Sequence, residues 1–186
     1  AADMPRGGCY ADFNSASAAQ KRQVEMALAG PGAMVEMADV AVLAPVGRSG
    51  AATPLLVSGP GAMAVAGAFR ALGAPVDVLA APVGAAADRK LLRSVFMKGL
   101  AAAVLEAVAA ARAAGCEPWL PDQIAAELGP GGHGLVDRLI AGSARHAARR
   151  IPEVEASRAY LQDLGVPTPV CDATLRWLGT LRDAGR

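Results

Sequence analysis

Aromatic residues are scarce, at 4% of the 186 positions, so any interior must be assembled from small aliphatic side chains. Hydrophobic residues reach 53% and charged ones only 19%, enough apolar material for a sizeable core and too much for a disordered chain. Cysteine is nearly absent too. Cys9, Cys116 and Cys171 are odd in number and far apart, giving neither a disulfide framework nor a metal spacing, which suits a reducing cytoplasm. A formal net charge of +1 gives no case for nucleic acid or a membrane surface as partner. Every long apolar stretch carries glycine or polar breaks, and no signal peptide opens the chain, so no membrane span is expected. No cluster of His, Asp and Glu has metal-ligand spacing, no nucleophile elbow stands out, and there is no internal repeat.

What is present is organised around Pro82 to Gly115. From Ala85 no proline interrupts the stretch and nearly every residue favours a helix, which would run roughly 45 Å. Lys90, Ser94 and Met97 share one face of its first third, whereas beyond Gly99 it is apolar almost all round. Before it, short strands are predicted at Tyr10–Phe13, Met34–Val42, Leu55–Ser58 and Val76–Ala80. They alternate with helices at Ala18–Ala29, with Val24 and Leu28 on one face, and at Gly61–Leu72; the first is stopped by Gly30-Pro31-Gly32. Residues 1–8 form a polar lead-in, Asn14 to Ser17 a turn offering an N-cap, and Ala44–Pro54 a loop. This alternation argues for parallel βαβ units, although four strands make only half of a doubly wound sheet. After the spine only helices are expected, at Pro121–Leu128, Leu135–Arg150, Pro152–Leu164 and Pro169–Asp183. The fold class is therefore α/β followed by all-α.

Gly59-Pro60-Gly61-Ala62-Met63-Ala64 follows a strand, opens a helix and fits a Gly-x-Gly-x-x-Gly/Ala dinucleotide fingerprint, with Asp77 18 residues on. Asp77, however, lies inside its strand, and the central proline removes an N–H that a pyrophosphate would need. The plainer reading is a tight strand-to-helix turn.

Several motifs agree in register with one superfamily. Asp12-Phe-Asn-Ser15, Asp39-Val-Ala-Val-Leu-Ala-Pro-Val46, Thr53-Pro-Leu-Leu-Val-Ser-Gly59, and Gly84 followed six residues later by Lys90 come in its order. The chain resembles the 6-phosphogluconate dehydrogenase-like, or β-hydroxyacid dehydrogenase, superfamily. Arg89-Lys-Leu-Leu-Arg-Ser-Val-Phe-Met-Lys-Gly99 and Arg145-His-Ala-Ala-Arg-Arg150 are similar to a subgroup with a compact, uncharacterised helical C-terminal domain. The resemblance implies three parts: residues 1–84 as the second half of a Rossmann-like dinucleotide-binding domain, 85–115 as an interdomain helix, and 116–186 as a helical domain. The Gly-rich NAD(P) fingerprint of the family's first βαβ unit is expected to lie outside this chain.

The resemblance also assigns roles. Lys90 stands where the superfamily keeps its acid/base lysine, and an ammonium partly desolvated in a cleft exchanges protons near neutrality; the plain alternative is a solvated surface lysine. Ser94 stands where a substrate-binding asparagine is usual, and keeps one hydroxyl in place of a paired amide. Asn14 and Ser15 occupy the place of a Ser-Thr pair beside nicotinamide and substrate; otherwise one of them caps the following helix. Leu43-Ala44-Pro45 replaces a carboxylate-gripping Ser-Gly-Gly, so a bulkier or less acidic substrate is expected at Ala44 and Pro45. Met97 completes the substrate face, and Gly84 with Asn14 the cofactor side. Lys98 is either a second cleft cation or a surface lysine. His146, Arg149 and Arg150 either close over an anion or form a solvated helix end, and His133 is incidental. The implied activity is an NAD- or NADP-dependent oxidoreductase acting on a small-molecule hydroxy acid or related alcohol or imine. The alternative is a shortened relative without cofactor that binds or transforms ligands in its cleft. A homodimer is expected, covering Val104, Leu105, Val108 and the Leu135–Arg150 helix.

Overall fold

The computed structural model describes residues 7–29 and 35–184. The lead-in before Gly7, the Gly30-Pro31-Gly32 stop and the expected strand start at Met34 fall outside them. The chain folds as two compact units, Ala1–Lys90 and Leu91–Arg186.

In the first unit, four strands lie in the order β1 (Cys9–Asp12), β2 (Glu36–Val42), β3 (Leu55–Ser58) and β4 (Val76–Val78). Their α3-facing side is built from Ala38, Val40, Leu55, Val57 and Val76, on which Ala62, Val65 and Ala66 of α3 (Ala62–Ala71) pack. The pairings β1–β2 and β3–β4 are parallel, but β2–β3 is antiparallel, against the all-parallel expectation. The physical reason is the connection. A parallel crossover needs a helix long enough to run back across the sheet. Between Val42 and Leu55 there is only α2 (Val46–Ser49) and a 3-10 turn at Gly50–Ala52, so β3 returns beside β2 in the opposite sense.

Helix α1 (Ala18–Leu28) begins at Ser17, whose hydroxyl accepts from Gln20 N–H while the Gln20 side chain accepts from Ser17 N–H, a capping box. Its buried face differs from the expected one. Ala18 and Lys21 are buried, whereas Val24 and Leu28 are only partly so.

Helix α4 (Ala85–Ala113) is the expected spine, and the boundary between the units falls within it, after Lys90. It is long and apolar enough to cross a membrane by length and composition, in spite of its breaks at Lys98, Gly99 and Glu106. Its packing is that of a bundle helix. Ala101, Val104 and Val108 pack with Ala125 of α5 (Trp119–Glu127) and with Val136 and Leu139 of α6 (Gly132–Asp163). A second cluster joins Ala147 and Val154 of α6 to Cys171 and Leu178 of α7 (Pro169–Ala184).

Two of the expected helices are merged in α6, and the break expected just before Pro152 lies earlier, at His146 (φ −120°, ψ 20°). Proline inside a helix removes the bond to the carbonyl four residues back and crowds it, so the chain bends in the turns preceding the ring.

Candidate functional site

The site begins with the register of the sheet. Asp12 sits opposite Asp39 on β2, and Asp39 opposite Ser58 on β3, so three polar side chains line up across three strands. All three are buried, and α1 places the equally buried Lys21 among them. Lys21 Nζ donates to the Asp12 carbonyl oxygen at 2.8 Å. It also lies 3.1 Å from Asp12 Oδ2 and 3.4 Å from Asp39 Oδ1. A lysine so deep is tolerable only because two carboxylates surround it.

Asp39 Oδ2 looks the other way, into the start of α4. It accepts from Gly84 N–H at 3.1 Å and Ala87 N–H at 3.0 Å, and Ser58 Oγ accepts from Ala86 N–H at 3.1 Å. Helix α4 therefore takes its N-terminal cap from two other strands, a carboxylate meeting the orphan N–H groups and the positive end of the dipole. Gly84 (φ +99°) makes this approach possible: a Cβ there would stand 2.7 Å from Ala18 Cβ.

The second turn of the anchored helix carries Lys90, whose Nζ donates to Ser15 Oγ at 2.9 Å. Ser15 is held in turn by the loop after β1. Asn14 donates to Asp12 Oδ1 through its backbone N–H, at 2.9 Å, and its side-chain amide, at 2.8 Å. Burial alone would raise the Asp12 pKa, but the Asn14 N–H and the Lys21 ammonium outweigh it and hold the carboxyl below its ordinary value. Because Ser17 supplies the cap of α1, neither Asn14 nor Ser15 does, and the Ser15 hydroxyl faces Lys90.

The structure thus brings Lys90, Ser15 and Asn14 together. Gly84 is tied to them only through the Asp39 anchor, with its N–H spent on that carboxylate. Ala44 and Pro45 lie in the β2–β3 connection, where Pro45 opens α2. Ser94 and Met97 belong to the second unit. Ser94 Oγ accepts from Lys98 Nζ at 3.2 Å, and Met97 packs against the Ala101–Val104–Val108 cluster. His133 meets Asp122 at 3.1 Å on an exposed surface, and His146 is exposed at the bend of α6. Lys21 and Ser58 escaped the sequence reading. The signal for them was a lysine where the apolar stripe of α1 should lie, and polar residues inside otherwise apolar strands.

At the Gly59–Gly61 turn, Gly59 N–H donates to the Ala81 carbonyl and Gly61 N–H to the Met37 carbonyl, both at 3.0 Å. A Cβ on Gly59 would stand 2.5 Å from Val83 Cγ2, and one on Gly61 2.6 Å from Cys9 Sγ. The glycines serve close packing and their N–H groups are consumed, so this turn does not fit a pyrophosphate.

Residues 111–181 match the family described as Domain of unknown function (DUF1932). Among solved structures, a conserved protein of unknown function, described as structurally similar to 3-hydroxyacid dehydrogenases, is 25% identical with a TM-score of 0.74, over 95% of this chain and 66% of that one. A 3-hydroxyisobutyrate dehydrogenase from Salmonella typhimurium has a TM-score of 0.80 at 17% identity, over 98% of this chain and 66% of that one. A reductive aminase from Aspergillus terreus, in complex with NADPH and ethyl levulinate, has a TM-score of 0.58 at 18% identity, over 96% and 65%. No curated protein matches. The chain therefore spans just under two thirds of the solved structures it resembles. It has the fold of the 3-hydroxyacid dehydrogenases and carries the DUF1932 domain over residues 111–181.

Proposed function

We propose that this chain is the substrate-handling part of an NAD- or NADP-dependent oxidoreductase acting on a hydroxy acid or a related alcohol or imine. The observation that carries the reading is Lys90 Nζ held 2.9 Å from Ser15 Oγ on a helix whose start is fixed by Asp39. An amine so placed takes the proton of a substrate hydroxyl during oxidation and returns it during reduction, while Ser15 orients it. The Leu43-Ala44-Pro45 segment offers no side-chain donor, which favours a substrate bulkier or less acidic than a short hydroxy acid. The redox half of the reaction is not assigned to the described residues. The three free cysteines support a reducing, cytoplasmic setting.

The consumed N–H groups of the Gly59–Gly61 turn favour one second reading, binding or non-redox chemistry without a dinucleotide. Titrating the 186-residue chain with NADH and NADPH, followed by nicotinamide fluorescence, tests where the cofactor sits. No saturable binding is expected at about tens of micromolar, far above a nanomolar site. Tight binding abolished by Gly61→Val would return the pyrophosphate to that turn. The oxidoreductase reading itself is tested by presenting hydroxy acids, alcohols and imines to the natural protein with either nicotinamide. Substrate-dependent turnover of the nicotinamide supports it. Saturable binding of the same compounds without any turnover supports the second reading.

A further inference from the structure

Asn14 adjoins the Lys90–Ser15 pair, and the hydrogen bonds already made there fix what it offers a ligand. Its backbone N–H and its side-chain amide both donate to Asp12 Oδ1, at 2.9 and 2.8 Å. Burial at Asp12 is outweighed by the Asn14 N–H and the Lys21 ammonium, so the carboxyl stays ionised near neutrality and can only accept. The NH2 end of the Asn14 amide therefore faces Asp12, because the carbonyl end would set two acceptors against each other. The planar group puts Oδ1 on its opposite prong, on an exposed loop, and among the described residues no donor reaches it. Ser15 carries the complementary constraint. Its Oγ accepts from Lys90 Nζ at 2.9 Å, so its own proton points elsewhere, and among the described residues that O–H meets no acceptor. Two adjacent side chains thus present one acceptor and one donor next to the ammonium. The buried groups behind the loop, two carboxylates against the single ammonium of Lys21, add a negative field.

A carboxylate meets this pair badly. It has acceptors only, so one oxygen would be opposed by Asn14 Oδ1 while the other took the Ser15 proton. A hydroxyl answers both side chains, donating to Asn14 Oδ1 and accepting from the Ser15 O–H. An aliphatic amine does not, being protonated near neutrality, unable then to accept, and repelled by Lys90. We propose that Asn14 determines specificity, and that the substrate carries an uncharged hydroxyl, in place of a carboxylate, on the carbon next to its reacting hydroxyl. The substrate class is then a vicinal diol. This rests on the reading of Lys90 and Ser15 as the substrate-handling pair, and narrows that reading from hydroxy acids and alcohols to alcohols.

The natural protein, isotope-labelled for magnetic resonance, is titrated at neutral pH with three compounds that differ only beside the secondary alcohol. Propylene glycol has a hydroxyl there, lactate a carboxylate, and sec-butyl alcohol a methyl group. The backbone amide signals of Asn14 and Ser15 report binding at the site itself. Saturable shifts are expected with propylene glycol at about ten millimolar, and binding about tenfold weaker or less with lactate and sec-butyl alcohol. Asn14→Ala keeps the backbone N–H on Asp12 but removes the acceptor. It should weaken the glycol and strengthen lactate, two changes of opposite sign, whereas a merely structural role would weaken both. The proposal is overturned if the glycol gives no saturable response, if lactate binds the parent protein as tightly, or if Asn14→Ala leaves the preference unchanged. The readout is binding, so the two readings fail separately. Absent nicotinamide turnover with the glycol preference intact would count against the oxidoreductase reading alone. Turnover with lactate preferred would count against this inference alone.

Discussion

Lys21 is the residue on which the first unit turns, and the sequence shows it only as a lysine in the stripe that Val24 and Leu28 share. Its partners Asp12 and Asp39 lie on two different strands, so a local reading of α1 sees an ordinary surface lysine beside Val24. Only the register that sets Asp12 against Asp39 creates the buried site it fills. Lys90 was singled out only through the resemblance, by the register of Gly84 and Lys90, and what the structure adds is its place beside Ser15. Removing one member of a buried ion cluster strands the others. Lys21→Met should therefore cost about 3–5 kcal/mol of unfolding free energy, measured by denaturant titration. A loss below about 1 kcal/mol, the level of an exposed pair, would contradict the burial. Asp12 adds a pH dependence with a definite sign. Its carboxyl is held below the ordinary value, so its stabilisation is complete above the unfolded value of about 3.9 and is lost as pH falls through the folded one. Asp12→Asn should flatten the stability profile in that acidic window, and an unaltered profile would count against the network.

Among the elements, α4 was the most legible and its anchor the least. A proline-free, helix-favouring run of this length fixes the helix by propensity, but its cap comes from Asp39 and Ser58, far away in sequence. The antiparallel β3 was misread because alternating strands and helices suggest parallel units, while the deciding quantity is the short connection from Val42 to Leu55. The α6 bend was placed at its proline, whereas the backbone departs from helix at His146. If Asp39 holds the first turn of α4, Asp39→Ala should free the N–H groups of Gly84 and Ala87. Loss of a cap costs about 1 kcal/mol at an exposed end, with more expected at this buried one. Amide hydrogen exchange at Gly84 and Ala87 should accelerate ahead of global unfolding, and unchanged protection there would assign the start of α4 to packing alone.

For the whole molecule, the expected dimer needs a different surface from the one read in the sequence. Val104 and Val108 are buried in their own helical cluster, so no partner copy can cover them. What α4 leaves exposed is Leu92 and Phe96, 46% and 66% accessible and one turn apart. An exposed apolar pair on one helix face suits an isologous contact. We propose a homodimer through this face. Light scattering at about ten micromolar should give twice the chain mass, and Phe96→Glu should return the protein to a monomer. A monomeric parent chain would contradict it. We propose that β1, β2 and β3, with α1 and the start of α4, hold Lys90 beside Ser15 for proton exchange. The most direct test of this central claim is steady-state turnover of Lys90→Ala in the natural protein with saturating nicotinamide. The rate should fall by about 10²–10⁴-fold with nucleotide affinity nearly unchanged, and Lys90→Arg should restore little because guanidinium does not release its proton. Turnover equal to that of the parent enzyme would contradict the claim.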